Sequence, residues 1–587
     1  MSGECKQGVY SWPANMLADG TPLEVDWIFD LALPPEDLWL YLRDTSRLNR
    51  ALGLGEMHFE ERGGRLWGRS RTGGIEHAWV EHPWSWIAAQ SVVAVREYQA
   101  GFAKWVRAVY RLEANEAGTR LHVYFGWIPR GAWQRLVLKA SLGWVRGNYE
   151  RVLRDMERFH GDATAPPPYR PPPATAAHGL ARLGELVEDL VERGEDPSVV
   201  RRLAGHLAQG DELELHRIRV LGLARGWGVD ADDLIRTCLQ ATRSGMLVLS
   251  WDVICPHCRG VRSQHERLAD LPTEGRCEIC VLDFATDGLD AIEVTFGVHP
   301  SIRDVPERFY CAAEPAMKPH VVVQQLLRPG ERIVIDVELR DEPHRRRIQG
   351  RAGHDVLDGG PAQLVFENTW DSDIVALVER AGWREDLLRP VRLFNLQEFR
   401  DLFGEEYLGT EVRLAVGEQT VLFTDVVGST RMYVERGDPG AFAAIKAHFT
   451  DVIRCVSEHN GAVVKTIGDA VMAAFADPVD AIEAAEAIQR AFPEDREDLD
   501  LRLRISMNTG PCIAVRLNAN IDYFGTTVNL AAKLQGCVGA GEVVVSAQTF
   551  EAAGVREHLS GRSLEDLAYA VAALAEEPLT VRRWKVS

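Results

Sequence analysis

The sequence predicts a multidomain α+β chain that ends in an α/β domain with an acidic site at its strand ends. Three observations carry this. A proline run, Ala165-Pro166-Pro167-Pro168-Tyr169-Arg170-Pro171-Pro172-Pro173-Ala174, divides the chain. Two tight cysteine pairs mark a small module in its middle. Beyond residue 416, three segments each set an acidic residue against an apolar run and a glycine: Asp425 before Gly428, Asp469 after Gly468, and Asp522 before Gly525. A length of 587 residues allows about four domains of roughly 150 residues each.

Composition narrows the function classes. Hydrophobic residues make up 46% of the chain, ample for several cores. The formal charge of −20 opposes binding to nucleic acid or to an anionic membrane surface, because like charges repel. No uncharged apolar run of about 18 residues is present, so no spanning helix is expected. The start, MSGECKQGVYSW, has no apolar signal core, and a cytoplasmic location is expected.

In residues 1–160, Pro34-Pro35-Glu36-Asp37 opens a helix, with proline and acidic residues in the first turn. Alternating Trp-rich runs follow around Trp67, Trp79 and Trp86, then Trp105–Tyr110 and Leu121–Phe125. Val137 to Phe159 reads as a long amphipathic helix. This order resembles the START-like helix-grip fold, which implies a curved sheet around the last helix and a small apolar ligand. Residues 161–177 are a linker, extended as polyproline.

Residues 178–250 read as helices closed by the strand Met246–Trp251, a winged-helix-like region. It is not markedly basic, so protein interaction is expected rather than DNA binding. Within 251–285, Cys255-Pro256-His257-Cys258 and Cys277-Glu278-Ile279-Cys280 form two C-x2-C knuckles separated by 18 residues. In a reducing compartment such pairs read as metal ligands, and four thiolates close a tetrahedral structural zinc site, a zinc ribbon. Residues 286–415 are β-rich and read as a β-sandwich growing out of the ribbon, ending in the coupler Asn395–Phe403.

Residues 416–587 carry the chemistry. Asp425 and Asp469 each end an apolar, β-branched run. Carboxylates placed so suit hard cations, and a pair of them can hold two metal ions across a phosphoryl transfer. Gly428 admits phosphate close to the backbone, and Ser429 or Thr430 can cap the following helix, whose amino end favours anions. The helix Asp477–Phe492 reads as packing.

The segments FTDVVGST, KTIGDAVMA and DYFGTTVNLAAKL resemble the three motifs of class III nucleotidyl cyclases, over roughly residues 416–550. The resemblance implies a ferredoxin-like α/β domain that makes cyclic AMP or cyclic GMP. Asp425 and Asp469 then match the aspartates that bind two Mg2+ or Mn2+ ions. Lys465 and Asp522 match the purine-reading pair and suit ATP; Asn529 matches the residue that orients the ribose and transition state. Lys533 stands where the family normally has arginine, a departure that keeps charge and loses the planar fork. One such domain per chain implies a head-to-tail homodimer with shared sites. The resemblance leaves open a catalytically weak nucleotide-binding protein and a guanylyl cyclase. The upstream order resembles a multidomain bacterial cyclase type with regulatory pieces.

Overall fold

A computed structural model describes the chain except residues 1–9, 163–167, 170–174, 279, 281, 352, 383–386, 494–500, 518–519, 572–577 and 587. Most of the proline run therefore lies outside the described residues, as does the side chain of Thr430.

The first layer begins with the strand Leu23–Leu31 and the helices Pro35–Leu42 and Thr45–Ala51. Proline at the first helical positions and Glu36 and Asp37 in the first turn start the former where the sequence places it. Antiparallel strands then run to Gly118–Pro129, which pairs back with Leu23–Leu31. The long helix Ala132–Gly161 follows. Trp79, Trp84 and Trp86 are fully buried anchors of this layer.

The sheet does not stop there. The short strand Ser85–Ile87 pairs with Val321–Leu327, which pairs with Ile374–Arg380 and carries the sheet onward to Asp355–Leu357, giving twelve strands. The expected β-sandwich exists as this extension covered by the ribbon Arg332–Leu339 with Gly360–Glu367 around a common apolar core. It grows from the N-terminal sheet, not from the cysteine module. The reason is backbone pairing: Ser85–Ile87 offers a strand edge that Val323 and Gln324 complete.

The middle region differs from a winged helix. Helices Ala177–Glu192, Pro197–Gln209, Glu212–Leu215, Val220–Trp227 and Ala231–Arg243 pack on a three-stranded sheet ordered Val261–His265, Leu247–Ile254, Ile292–Val298. The hairpin that would form a wing instead turns through the first cysteine knuckle. Asp196 and Asp230 cap two of these helices by accepting backbone N–H bonds, as expected of aspartate at a helix start.

The C-terminal sheet runs in the order Gly461–Ile467, Ala470–Phe475, Leu414–Val426, Leu503–Leu517, Glu542–Ser546, Leu579–Lys585, Glu565–Tyr569, with Asn520–Phe524 paired to Leu503–Leu517. Helices Ser429–Glu458 and Pro478–Ala491 share a core with its strands. Asp477 caps Pro478–Ala491, whose buried residues include Ala481, Ile482, Ala485 and Ile488, so this helix packs as expected. A second core joins the middle helices to the C-terminal sheet through Leu393, Phe394 and Phe399. No helix among the described residues is long and apolar enough to cross a membrane.

Candidate active site and metal centre

Asp425 is the penultimate residue of the strand Leu414–Val426. In the neighbouring pair Thr424 faces Val471, so Asp425 comes level with the turn Gly468-Asp469 that links Gly461–Ile467 to Ala470–Phe475. The turn needs Gly468, whose φ is 64°. The two carboxylates are thus held at adjacent strand ends. Oδ2 of Asp469 is buried and has no hydrogen-bond partner among the described residues. A buried carboxylate oxygen left unpaired is costly, and a cation ligated there removes that cost.

The structure adds a residue that sequence reasoning missed. Arg504, directly across from Asp425 in the strand Leu503–Leu517, donates from Nε to Asp425 Oδ2 at 2.7 Å and also through Nη2. The signal was present in the alternation Leu501-Arg502-Leu503-Arg504-Ile505. Alternation gives the face, but only the pairing register gives the partner. His448 is also buried on the helix Ser429–Glu458; burial pushes its pKa down, and the nearby Asp469 charge opposes that.

Gly428 takes φ 78° and leads into the helix that starts at Ser429. The left-handed turn is a conformation that glycine adopts without steric cost. The helix follows the strand end that carries Asp425 after two residues, and the N–H groups of its first turn lack intrahelical partners, as at any helix start.

The pair expected to read the base meets directly. Lys465 Nζ donates to Asp522 Oδ2 at 2.5 Å, while Asp522 Oδ1 accepts the Tyr523 N–H at 2.8 Å. A bulge between Val463 and Lys465 redirects Lys465, as bulges near functional sites do. Asp522 is buried and Lys465 partly exposed. Asn529 and Lys533 lie four residues apart on the helix Thr526–Leu534, on one exposed face. Among the described residues, no hydrogen bond or ion pair joins Asn529 or Lys533 to Asp425 or Asp469.

The segment Asn395–Phe403 bonds to the strands that carry Lys465 and Asp522. Gln397 Oε1 accepts the Val463 N–H at 2.8 Å, Arg400 Nη1 donates to the Ile521 carbonyl at 3.0 Å, and Tyr523 Oη donates to Asn395 Oδ1 at 2.8 Å. Asn395 in turn donates to Gln419 at 2.7 Å. Each contact falls within two residues of Lys465 or Asp522, or on the central strand.

The four cysteines converge. Cys255, Cys258, Cys277 and Cys280 are buried, with their sulfurs within 4.8 Å of one another. Backbone N–H groups of His257 and Cys280 donate to the sulfurs of Cys255 and Cys277 at 3.4 Å each, the geometry of two knuckles. Tetrahedral zinc with Zn–S near 2.3 Å places sulfurs about 3.8 Å apart. The Cys258 and Cys277 sulfurs are 3.7 Å apart, so the set fits a four-thiolate ion.

With this geometry in place, comparison with known proteins is decisive for the C-terminal part. Residues 415–562 match the adenylate and guanylate cyclase catalytic domain. The C-terminal part therefore carries an adenylate and guanylate cyclase catalytic domain. The chain is 32% identical over 142 residues to an adenylate cyclase of Streptomyces coelicolor, covering 24% of this chain and 34% of that protein. A receptor-type adenylate cyclase of Trypanosoma congolense is 27% identical over 179 residues, covering 24% of each. The chain therefore spans about a quarter to a third of the length of these two relatives. Among solved structures, an adenylyl cyclase from P. aeruginosa is 20% identical over 30% of this chain and 97% of that one, with a TM-score of 0.26. Residues 184–319, upstream of the cyclase domain, match a family of unknown function, DUF5939.

Proposed function

We propose that the chain is an adenylyl cyclase that converts ATP to 3′,5′-cyclic AMP and pyrophosphate, in a head-to-tail homodimer governed by its upstream domains. The observation that carries this is the pairing of a buried, unsatisfied Asp469 oxygen beside Asp425 with a separate Lys465–Asp522 base-reading pair. Adenylate cyclases among the matched relatives support it.

Asp425 and Asp469 would hold two divalent cations, Mg2+ or Mn2+. When bound, such ions supply Lewis-acid stabilisation of phosphoryl oxygens and lower the pKa of a coordinated hydroxyl. The residues of the chain do the rest. Arg504, now paired with Asp425, can turn its remaining donors to the triphosphate, where a guanidinium fork suits phosphate. The backbone at Gly428, Ser429 and Thr430 receives phosphate oxygens. Asn529 orients the ribose, and Lys533 offsets charge that develops on the departing pyrophosphate.

Base choice follows from donors and acceptors. Lysine only donates and aspartate only accepts. Adenine sets an acceptor, N1, beside a donor, the exocyclic amine, and this matches Lys465 and Asp522 in one order. Guanine presents O6 and N1–H in the reverse order. A guanylyl cyclase is therefore the second reading, with the base shifted by one ring position. Product formation from ATP and from GTP, each with Mg2+ and with Mn2+, separates them. Cyclic AMP in clear excess supports the reading, equal or greater cyclic GMP overturns it, and no product at all favours a nucleotide-binding protein without turnover.

Homodimer formation is supported by apolar side chains exposed around the site. Phe524, beside Asp522, is 62% exposed, and Ile467, Val427 and Leu517 are also exposed. Exposed apolar side chains of this kind call for a cover. The upstream cysteine set would hold structural zinc, and the N-terminal layer is read as START-like.

A further inference from the structure

We propose that base selection is set partly from outside the cyclase domain, by Gln397 and Arg400 acting as positioning residues for Lys465 and Asp522. The inference deepens the proposed function and rests on the reading of that pair as the one that meets the base. Both residues precede 415–562, the span that matches the cyclase catalytic domain.

Asp522 stands on an edge strand. Among the described residues, Asn520–Phe524 is five residues long and pairs with one neighbour, Leu503–Leu517. A strand at an edge leaves a row of N–H and C=O groups open on its free side. The placement of Asp522 therefore depends on other bonds, and Arg400 supplies them. Its Nη1 donates to the Ile521 carbonyl at 3.0 Å, and its guanidinium carbon lies 5.6 Å from the centre of the Tyr523 ring. These two residues flank Asp522. Alternation along a strand puts the side chains of Ile521 and Tyr523 on one face and that of Asp522 on the other. Holding the first two sets the direction of the third, whose Oδ2 accepts from Lys465. Tyr523 is held again at its hydroxyl, which donates to Asn395 at 2.8 Å.

The same short helix reaches Lys465. Gln397 and Arg400 are three residues apart on Gln397–Leu402, so they share a face. Gln397 Oε1 accepts the Val463 N–H at 2.8 Å, where the bulge before Lys465 begins. That bulge sets where Lys465 points. One helix thus grips both strands of the pair.

Its other side is anchored upstream. Phe399 is buried, with its ring 6.1 Å from that of Trp251 and 5.9 Å from that of Phe394. Glu398 pairs with Arg236 of Ala231–Arg243 at 3.2 Å.

The bonding of Arg400 argues against simple packing. Its Nε donates to the Phe394 carbonyl at 2.7 Å, and Nη2 is buried with no hydrogen-bond partner among the described residues. Its hydrogen bonds go to carbonyls and none to a carboxylate. A buried cation without a bonded counter-charge is destabilising. Burial pulls its pKa down, and the nearby Tyr523 and Asp522 oppose that. An apolar side chain would fill the space without this cost, but it would release the Ile521 carbonyl.

The test uses the full chain. ATP and GTP compete against the fluorescent nucleotide mant-ATP, and kcat and KM are measured on the same preparations. Arg400→Met should move the ATP-to-GTP affinity ratio at least fivefold towards one, raising KM for the preferred nucleotide more than it lowers kcat. Arg400→Lys keeps a donor for the Ile521 carbonyl and should recover part of the ratio. Gln397→Met removes the bond to Val463 and should move the ratio the same way, which keeps the test decisive if an Arg400 variant does not fold. Arg392→Met cuts a bond of the preceding helix to Asp232, 2.8 Å long, and should leave the ratio unaltered. An unchanged ratio in folded Arg400→Met and Gln397→Met would overturn the proposal. So would an equal shift in Arg392→Met, the sign of general loosening upstream. Wild-type protein that discriminates between the nucleotides and forms no cyclic product would overturn the cyclase reading, and the affinity ratios would still decide the role of Gln397 and Arg400.

Discussion

A two-residue turn and one strand register bring Asp425 and Asp469 level with each other. Replacing Asp425 by Ala, or Asp469 by Asn, should lower turnover by about 100-fold or more, the usual cost of losing a group that stabilises charge in the transition state. The melting temperature should hardly change; unchanged turnover would remove both residues from the metal role. Arg504→Met tests the residue that the sequence alone did not reveal. It should lower kcat/KM by about 10- to 100-fold through lost phosphate binding, while a purely structural Arg504 would lower stability and spare KM. Lys533→Arg should raise kcat, since the fork geometry matches phosphate better than a single ammonium. A fall would mean that the site is shaped around lysine.

Among the elements, the sequence was most readable where short-range chemistry decides the outcome. Proline and acidic residues set the start of Pro35–Leu42, and the cysteine spacing brought four sulfurs to one point. Long-range pairing was not readable. Nothing in the triplet Ser85–Ile87 announces that Val321–Leu327 will join it, because backbone hydrogen bonds carry no side-chain signature. The same limit hid Arg504 behind its register. Removing metal from the cysteine module should lower the melting temperature by about 5 °C or more, because structural zinc stabilises its module by several kcal/mol. Cys258→Ser should do likewise, and stoichiometric zinc should appear by metal analysis of the wild-type protein. A melting temperature indifferent to chelation would argue against a structural ion.

At the scale of the molecule, the middle helices, the coupler and the cyclase sheet share one apolar core. Contacts from Asn395, Gln397 and Arg400 reach the strands of Lys465 and Asp522. A change upstream therefore has a short physical route to the base-reading pair. In the proposed head-to-tail dimer the site is completed across two copies: among the described residues no hydrogen bond or ion pair joins the aspartates to the Asn529–Lys533 face. Complementation tests this most directly. Asp425→Ala and Asn529→Ala subunits, each inactive alone, are mixed in equal amounts, and cyclic AMP formation is measured alongside the fraction of heterodimer. Random pairing makes half the dimers mixed, each with one whole site of two, so about a quarter of wild-type activity is expected. Inactivity in a sample where mixed dimers are demonstrated would contradict the shared site.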